Sequence, residues 1–518
     1  MMASDSNGGA TPGRGWRTRV ALAGLAVVTA LAGCQSPPAP QGPVVEVAGG
    51  AIAGTVEDGV RVFRGIPYAA APVGERRWRA PAPPEAWNGV RRAAAFGPAC
   101  PQPSRPDRPS RVGETAEDCL FLNVWAPPEA REAPVMVWIH GGAFRLGSGA
   151  QPFYDGTSFA ANGVILVTFN YRLGRFGFFA HPALDEGGNF GLMDQAAALA
   201  WVRDNIGAFG GDPGNVTVFG ESAGGASVLY LLTSPKTEGL FQRAAVQSGG
   251  GLQITRHLSE ARGRLPSLVT LGTRWRGADV DAGALRALPV DEVIGEELGG
   301  GIGATGPVID GDWVVGDPGS RLLAGEFHRV PVLVGANSNE ASVLTAFGTD
   351  AEQAVSASRV DPGRLEALYP MADRERVAWG DAAFVAGARL TAKAVAEAGE
   401  EAYLYHFDYV LERRRDKVPG AGHGSEIPFV FNTLDELPMP RLLVSDADRA
   451  MARRLHSHWL NFARSGDPAG AAEGYWPAYA PARDTLLYIG SDRVEARSGL
   501  RRAALDFHED RWRRATGR

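Results

Sequence analysis

A glycine-flanked serine between a predicted strand and a predicted helix restricts the fold of this chain more than any other feature. The segment reads VTVFGESAGGASVLYLL, with Ser222 at the centre of Gly-Glu-Ser-Ala-Gly. Residues 216–219 are β-branched and aromatic, as in a buried strand, and the small residues from Ala223 onward can begin a helix. Glycines two positions before and after the serine remove Cβ clashes from a sharp turn. The pattern predicts a nucleophile elbow with Ser222 at a helix N-terminus, where backbone N–H groups favour an anion.

Composition and motifs exclude several classes of function. The 518 residues are 45% hydrophobic and 21% charged, which is typical of a globular protein. A net charge of -6 gives no basic surface for nucleic acid. The nine histidines are scattered and no HExxH occurs, so no metal site is predicted. Residues 301–306 match GxGxxG, but no strand precedes them and the strand-like segment 307–314 follows, so we interpret them as a flexible loop.

The N-terminus has the features of an export signal. Arg14, Arg17 and Arg19 precede an apolar run, residues 20–32, that is too short to span a bilayer. The run ends in Leu-Ala-Gly-Cys at Cys34, which resembles the lipobox of bacterial lipoproteins, where the chain is cut before the cysteine and the cysteine receives lipid. A plain secretory signal that is cut after an alanine of the same run is the alternative.

These features predict three segments. Residues 1–33 are a signal peptide of the lipoprotein type, residues 34–44 are a proline-rich tether, and residues 45–518 are a single domain. We expect the protein to be exported and held in the cell envelope by lipid on Cys34, or else to be periplasmic or secreted and soluble. The lipid anchor is the only membrane contact that the sequence predicts.

Export bears on the two other cysteines, Cys100 and Cys119, because an oxidising compartment permits disulfides. A disulfide between them would close a loop, and the chain-entropy model predicts that it would stabilise the folded state by about 3 kcal/mol. Two free buried thiols are the alternative.

Three further apolar runs lead to residues with possible chemical roles. Residues 135–139 end at the glycine-rich turn His-Gly-Gly-Ala, residues 330–334 lead to Glu340, and the strand-like YLYHFDYV precedes the loop with His423. A helix is predicted over residues 194–206. The order Ser222, Glu340, His423 is the serine, acid, histidine order of α/β-hydrolases. Asp310 or Glu426 could replace Glu340, and His406 could replace His423, although its place inside a predicted strand favours a core role.

With these pieces in place, the chain resembles the type-B carboxylesterase and cholinesterase family, as in bacterial para-nitrobenzyl-esterase-like carboxylesterases, over nearly all of its predicted mature length. The matching segments are GIPYA (65–69), EDCLFLNVW (117–125), HGGAF (140–144), NYRLG (170–174), GNFGLMDQ (188–195), FGGDPGNVTVFGESAGG (209–225), QSG (247–249), PVIDG (307–311) and HGSEIPFVF (423–431). So many motifs in register make coincidence implausible.

The resemblance implies an α/β-hydrolase fold, with a central, mostly parallel sheet flanked by helices, a small N-terminal antiparallel sheet, and loop and helix insertions that form the pocket. It implies a serine hydrolase that cleaves small-molecule carboxylic esters through an acyl-enzyme, without a cofactor. Ser222 would be the nucleophile, His423 the general base and acid, and Glu340 the acid that orients it. The remaining implied roles are oxyanion N–H donors and a disulfide: Gly142, Ala143 and Ala223 for the donors, Cys100 and Cys119 for the disulfide.

Two departures from the family pattern matter. The common HGGG is HGGA here, so Ala143 replaces a glycine; its N–H survives, and we expect the oxyanion site to work unless this residue needs φ > 0. In cholinesterases the loop closed by this disulfide carries a tryptophan that binds choline, whereas residues 101–118 contain no aromatic residue. This difference argues against a cholinesterase.

Other functions stay open at this point. The same machinery could cleave an amide, carbamate, thioester or polymer ester, because the pocket loops set selectivity. A non-catalytic binding or adhesion relative would have lost its nucleophile, whereas all three predicted catalytic residues are present. We also hypothesise that Glu221 faces the pocket beside Ser222.

Overall fold

A computed structural model describes residues 42–103, 112–295, 305–358, 360–470 and 476–517. The predicted signal peptide, Cys34 and most of the predicted tether lie outside these residues. Val44 was assigned to the tether, but it is the first residue of a strand. Among the described residues, no helix has both the length and the hydrophobicity needed to cross a membrane.

Fourteen strands lie in the described residues and form two sheets. They are β1 (Val44–Val47), β2 (Gly50–Ala53), β3 (Thr55–Glu57), β4 (Val60–Pro67), β5 (Val90–Arg92), β6 (Phe121–Ala126), β7 (Ala133–Ile139), β8 (Ile165–Phe169), β9 (Gly211–Glu221), β10 (Arg243–Gln247), β11 (Val332–Asn337), β12 (Ala402–Asp408), β13 (Thr485–Gly490) and β14 (Val494–Ser498).

The large sheet has eleven strands in the order β14-β13-β12-β11-β10-β9-β7-β8-β6-β4-β3. The seven neighbouring strands from β7 to β13 are mutually parallel. At one edge β14 pairs antiparallel to β13, and at the other edge β6, β4 and β3 follow β8 in successive antiparallel pairs. The small sheet contains β1, β2 and β5. It was predicted to be antiparallel, but only the β1–β2 pair is, since β5 pairs parallel to β2.

Sixteen α-helices lie in the same residues. They are α1 (Thr157–Ala161), α2 (Gly174–Gly177), α3 (Phe190–Asn205), α4 (Ala223–Thr233), α5 (Leu268–Arg276), α6 (Ala282–Arg286), α7 (Val290–Ile294), α8 (Pro318–Leu323), α9 (Ser342–Ala346), α10 (Ala351–Ala357), α11 (Pro362–Leu368), α12 (Arg374–Gly380), α13 (Ala386–Glu397), α14 (Ile427–Val430), α15 (Asp446–Ser465) and α16 (Arg502–Thr516). A π-helical segment, Asp381–Val385, joins α12 to α13.

Helices cover both faces of the large sheet, and this explains the unbroken apolar runs of its central strands. In β7, Val135 and Val137 face a core that includes residues of α3, α4 and α13. The alternate residues Met136 and Trp138 face a second core that includes residues of α15. Successive side chains of a strand point to opposite faces, so a strand covered on both sides is apolar at every position.

One predicted strand is wrong. Residues 307–314 form no strand; Ile309 makes only an isolated bridge with His257. The cause is Asp310, whose Oδ1 accepts the backbone N–H groups of residues 312, 313 and 314 at 3.0, 2.9 and 2.9 Å. A carboxylate that binds its own downstream N–H groups holds the chain in a turn.

The turn between β9 and α4 places Ser222 at the carboxyl end of the sheet. Ser222 has φ 56° and ψ −121°, and its N–H donates to the carbonyl of Gln247, at the end of β10, at 2.9 Å. A Cβ atom on Gly224 would lie 1.9 Å from the carbonyl oxygen of Ile139, the last residue of β7. Helix α4 can therefore approach the sheet this closely only with glycine at position 224.

We predict that Gly224→Ala lowers the free energy of unfolding by about 1–3 kcal/mol, because the added methyl group meets backbone that must shift. Urea unfolding monitored by circular dichroism measures the change. Gly207→Ala is the matched control, since a Cβ atom there meets no atom within 4 Å. Equal stabilities of the two variants would contradict the close approach.

Candidate active site

The structure brings Ser222, His423 and Glu340 into one hydrogen-bonded line. The Oγ atom of Ser222 lies 2.8 Å from Nε2 of His423. The other ring nitrogen, Nδ1, lies 2.5 Å from Oε2 of Glu340. A serine, an imidazole and a carboxylate joined in this order have the geometry of an activated nucleophile, in which the imidazole takes the hydroxyl proton.

Three different loops at the carboxyl edge of the sheet supply these side chains. Ser222 follows β9, Glu340 lies in the loop after β11, and His423 lies between β12 and α14. The loops of Glu340 and His423 are joined directly, because Ser342 Oγ accepts the backbone N–H of His423 at 2.8 Å. Asn339 and Gly422 also form a parallel bridge.

Glu340 is buried and held as an acceptor. Its Oε1 atom accepts the hydroxyl of Ser248 and the backbone N–H of Asn337, both at 2.6 Å. These bonds occupy one oxygen and turn the other toward His423, so the carboxylate is fixed in position before any substrate binds.

The alternative residues form their hydrogen bonds with other groups or lie in the core. Glu426 is fully buried, and its two oxygens accept from Gln247 and Asn337 at 3.0 and 2.5 Å. Asp310 is occupied by its own turn and by Asn189. His406 is buried inside β12, and burial lowers its pKa well below the ordinary value, as expected for a neutral core histidine.

Glu221 is close to the line of three side chains. Its side chain lines the cavity described below, and Oε1 lies 3.1 Å from Nε2 of His423. This placement agrees with the hypothesis that Glu221 faces the pocket. Burial raises the pKa of Glu221 to about 8, although the adjacent His423 opposes the rise.

The three carboxyl groups dominate the electrostatics of His423. Burial by itself lowers the pKa of His423, but Glu221, Glu340 and Glu426 favour the charged ring and raise the net pKa to about 9. The site therefore stabilises an imidazolium, which is the form that histidine takes after accepting a proton.

The glycine-rich turn after β7 lies against the serine. A Cβ atom on Gly141 would be 3.1 Å from the Cβ atom of Ser222. The N–H groups of Gly142, Ala143 and Ala223 form no hydrogen bond within the described part of the chain. Three unpaired donors beside the nucleophile can bind an oxyanion.

Ala143 adopts φ 55° and Phe144 adopts φ 59°, so the turn needs the left-handed region at a position where the family commonly has glycine. Ala143 therefore needs φ > 0, the condition under which the oxyanion site was expected to fail. The left-handed conformation costs an alanine roughly 1–2 kcal/mol but leaves its N–H group in place.

The turn is also tied to the disulfide loop. Cys100 and Cys119 are bonded, with an S–S distance of 2.01 Å. Gln102, two residues after the first cysteine, exchanges two hydrogen bonds with Gly147, its Nε2 donating to the carbonyl at 2.8 Å and its Oε1 accepting the N–H at 2.9 Å. A Cβ atom on Gly147 would contact His140 at 2.4 Å, so this pair packs directly on the glycine-rich turn.

Ser222 opens into a cavity of about 1130 Å³ with largely apolar walls. The π-helical segment forms part of the wall, and the ring of Phe384 lies 4.8 Å from the ring of His423. Large aromatic and aliphatic side chains line much of the rest, among them Phe144, Leu146, Phe153, Tyr230, Leu252, Leu268, Val308, Val343, Phe347, Trp379 and Leu437. Within the described ranges, no group of three or more histidine, cysteine, aspartate or glutamate side chains is placed to hold a metal ion.

Sequence reasoning assigned no role to two groups of residues in this site. Ser248, whose hydroxyl donates to Glu340, lies in the QSG segment. The match of that segment to the family pattern could have indicated a role for Ser248 in the site. Phe384 and its π-helical segment had no signal, because their place beside His423 comes from packing between distant segments.

The chain is similar to known esterases. A family model described as the Carboxylesterase family matches residues 41–376 and 373–508. The para-nitrobenzyl esterase of Bacillus subtilis (strain 168) is 38% identical over 480 residues, covering 86% of this chain and 94% of its own. The fumonisin B1 esterase of Sphingopyxis macrogoltabida is 37% identical over 489 residues, covering 87% of each chain.

Solved structures show the same relationship. The Geobacillus stearothermophilus carboxylesterase EST55 is 37% identical, with a TM-score of 0.76 over 89% of this chain and 99% of its own. A PNB esterase structure is 33% identical, with a TM-score of 0.76 and the same coverage. The predicted α/β-hydrolase fold is confirmed, and so is the predicted activity class, a carboxylic ester hydrolase. The chain belongs to the carboxylesterase family.

Proposed function

We propose that this enzyme hydrolyses small-molecule carboxylic esters through an acyl-enzyme formed on Ser222, with His423 as general base and acid and Glu340 as the orienting carboxylate. The observation that carries the proposal is the continuous hydrogen-bonded line from Ser222 Oγ through both nitrogens of His423 to Glu340. Its open end faces the apolar cavity.

The first half of the reaction forms the acyl-enzyme. Ser222 Oγ attacks the ester carbonyl carbon while His423 Nε2 accepts the hydroxyl proton. The N–H groups of Gly142, Ala143 and Ala223 stabilise the resulting oxyanion, each contributing about 3–4 kcal/mol in comparable sites. The imidazolium then gives its proton to the alkoxy oxygen, the C–O bond breaks, and the alcohol leaves.

The second half regenerates the enzyme. Water gives a proton to His423 Nε2 as it attacks the acyl carbon, and collapse of the second tetrahedral intermediate releases the acid. The proton returns from His423 to Ser222. Every group that moves a proton belongs to the chain, so the proposal needs no cofactor.

We predict that Ser222→Ala lowers kcat for ester hydrolysis on the order of 10⁶-fold, because the covalent route is lost. The assay measures p-nitrophenol release from a p-nitrophenyl ester series, acetate to palmitate. Ser498→Ala, at the exposed end of β14, is the matched control and should retain activity. If Ser222→Ala matched the wild type on every ester, the catalytic proposal would fail.

We predict that Glu221→Gln shifts the rising limb of the pH profile of kcat/KM to lower pH by about one unit. The free enzyme needs neutral His423, and kcat/KM therefore rises with pH through the His423 pKa of about 9. Removing the carboxyl group 3.1 Å from Nε2 lowers that pKa, because the imidazolium loses a stabilising charge.

The control for this profile is Glu352→Gln, an exposed change on α10. It should leave the midpoint where the wild type has it. A Glu221→Gln profile superimposable on that of the control would show that Glu221 does not influence the titration of His423.

We also propose that the protein is exported and anchored by lipid on Cys34. The apolar run, the lipobox-like segment and the Cys100–Cys119 disulfide support this, because disulfides persist in oxidising compartments. We predict that an alkyne fatty acid supplied to the bacterial host labels the wild type and Ser222→Ala but not Cys34→Ser. An unlabelled wild type whose mature chain begins at Gly33 would instead support plain secretion.

A further inference from the structure

Arg256 is one of the residues that line the active-site cavity. Four titratable side chains line this cavity within the described residues: Glu221 and His423 beside Ser222, Tyr230 from α4, and Arg256. Arg256 is half-buried. The cavity therefore contains one permanent positive charge that the reaction described above does not use.

Arg256 has no carboxylate partner in the described part of the chain. Within these residues, its guanidinium donates a hydrogen bond from Nη1 to the carbonyl oxygen of Pro266. Burial lowers the pKa of Arg256, and no nearby carboxylate offsets this effect. By contrast, Arg262 in the same segment forms a two-pronged ion pair with Asp317 at 2.7 and 2.6 Å. A guanidinium has five N–H donors in a planar fork, so Arg256 keeps most of its donors for another acceptor.

The backbone holds Arg256 in place. Its carbonyl accepts the N–H of Ile309 at 2.8 Å, and the N–H of the preceding residue, Thr255, donates to Asp317 at 2.7 Å. Thr255 Oγ1 also lies 2.9 Å from the hydroxyl of Tyr230, which belongs to α4. The backbone that carries the guanidinium is thus tied to the helix that follows Ser222, and little backbone freedom is lost when the side chain binds a ligand.

We propose that Arg256 is a specificity residue that binds a carboxylate on the substrate, so that the preferred esters carry a negative charge in the acyl or the alcohol part. The inference rests on the proposed ester hydrolysis at Ser222. Guanidinium matches carboxylate geometry with two parallel N–H···O bonds, and apolar surroundings strengthen such pairs. Burial raises the pKa of Glu221, which reduces the negative charge that this side chain presents to an anion.

The test uses matched esters that differ only in charge. For the acyl side, p-nitrophenyl hydrogen adipate is compared with its neutral amide isostere, p-nitrophenyl 5-carbamoylpentanoate. For the alcohol side, 4-acetoxybenzoate is compared with 4-acetoxybenzamide. We expect wild-type kcat/KM to favour the anion in at least one pair, and Arg256→Gln to lower kcat/KM for that anion about tenfold, as for the loss of one charged hydrogen bond. The neutral isostere should change less than about twofold.

Controls separate this inference from the proposed function. Arg203→Gln, an exposed change on α3, should leave both ratios unaltered. Neutral esters hydrolysed by the wild type, with no anion preference and no selective loss in Arg256→Gln, would overturn the role of Arg256 and leave ester hydrolysis standing. No hydrolysis of any ester would overturn both.

A second measurement does not depend on the folding of the variant. Raising NaCl from 0.05 to 0.5 M should lower wild-type kcat/KM for the preferred anionic ester and not for its isostere, because salt screens the charge pair. Arg256→Lys, which keeps the charge and loses the fork, should retain part of the preference. Equal salt dependence of the two esters would contradict the inference.

Discussion

The active site depends on the contact between the first turn of α4 and the last carbonyl of β7. Gly224 has no Cβ atom, and the helix therefore approaches the sheet closely enough to hold Ser222 beside the glycine-rich turn. The same contact sets the direction of α4, whose first N–H group, that of Ala223, forms no hydrogen bond within the described part of the chain. A larger residue at position 224 would push α4 away from β7 and would separate Ser222 from the glycine-rich turn. The alignment of the two therefore follows from one packing constraint.

The second constraint is electrostatic. Three carboxyl groups and one imidazole share a region from which water is largely excluded, an arrangement that is costly unless each charge has partners. Asn337 provides partners for two of the carboxyl groups, since its backbone N–H donates to Glu340 and its side-chain amide donates to Glu426. The arrangement favours a positive ring at His423. A charged ring is the form that His423 would take in the proposed reaction, and the raised pKa also keeps the ring charged in the free enzyme below about pH 9.

The sequence predicted the central architecture well because its signals are local. Residues 135–139 are apolar at every position and are buried on both faces in β7, and the predicted helix 194–206 is confirmed as α3, which begins slightly earlier. Local signals failed at 307–314, where a single aspartate overrides a strand-like composition. They were silent on Arg256, because the groups that support it come from separate loops and from α4. The positive φ of Ala143 was equally hidden, since residue type does not specify a backbone conformation.

The link from the disulfide to the glycine-rich turn has a consequence for how the enzyme matures. Gln102, two residues after the bonded Cys100, forms two hydrogen bonds with Gly147, and Gly147 packs against His140. Both cysteines are buried in the core that includes residues of α3, α4 and α13, so a reduced chain would lose a link inside that core. It would hold its oxyanion donors less firmly, since one anchor of the turn is missing. Formation of the Cys100–Cys119 bond would therefore steady the glycine-rich turn as well as close its own loop.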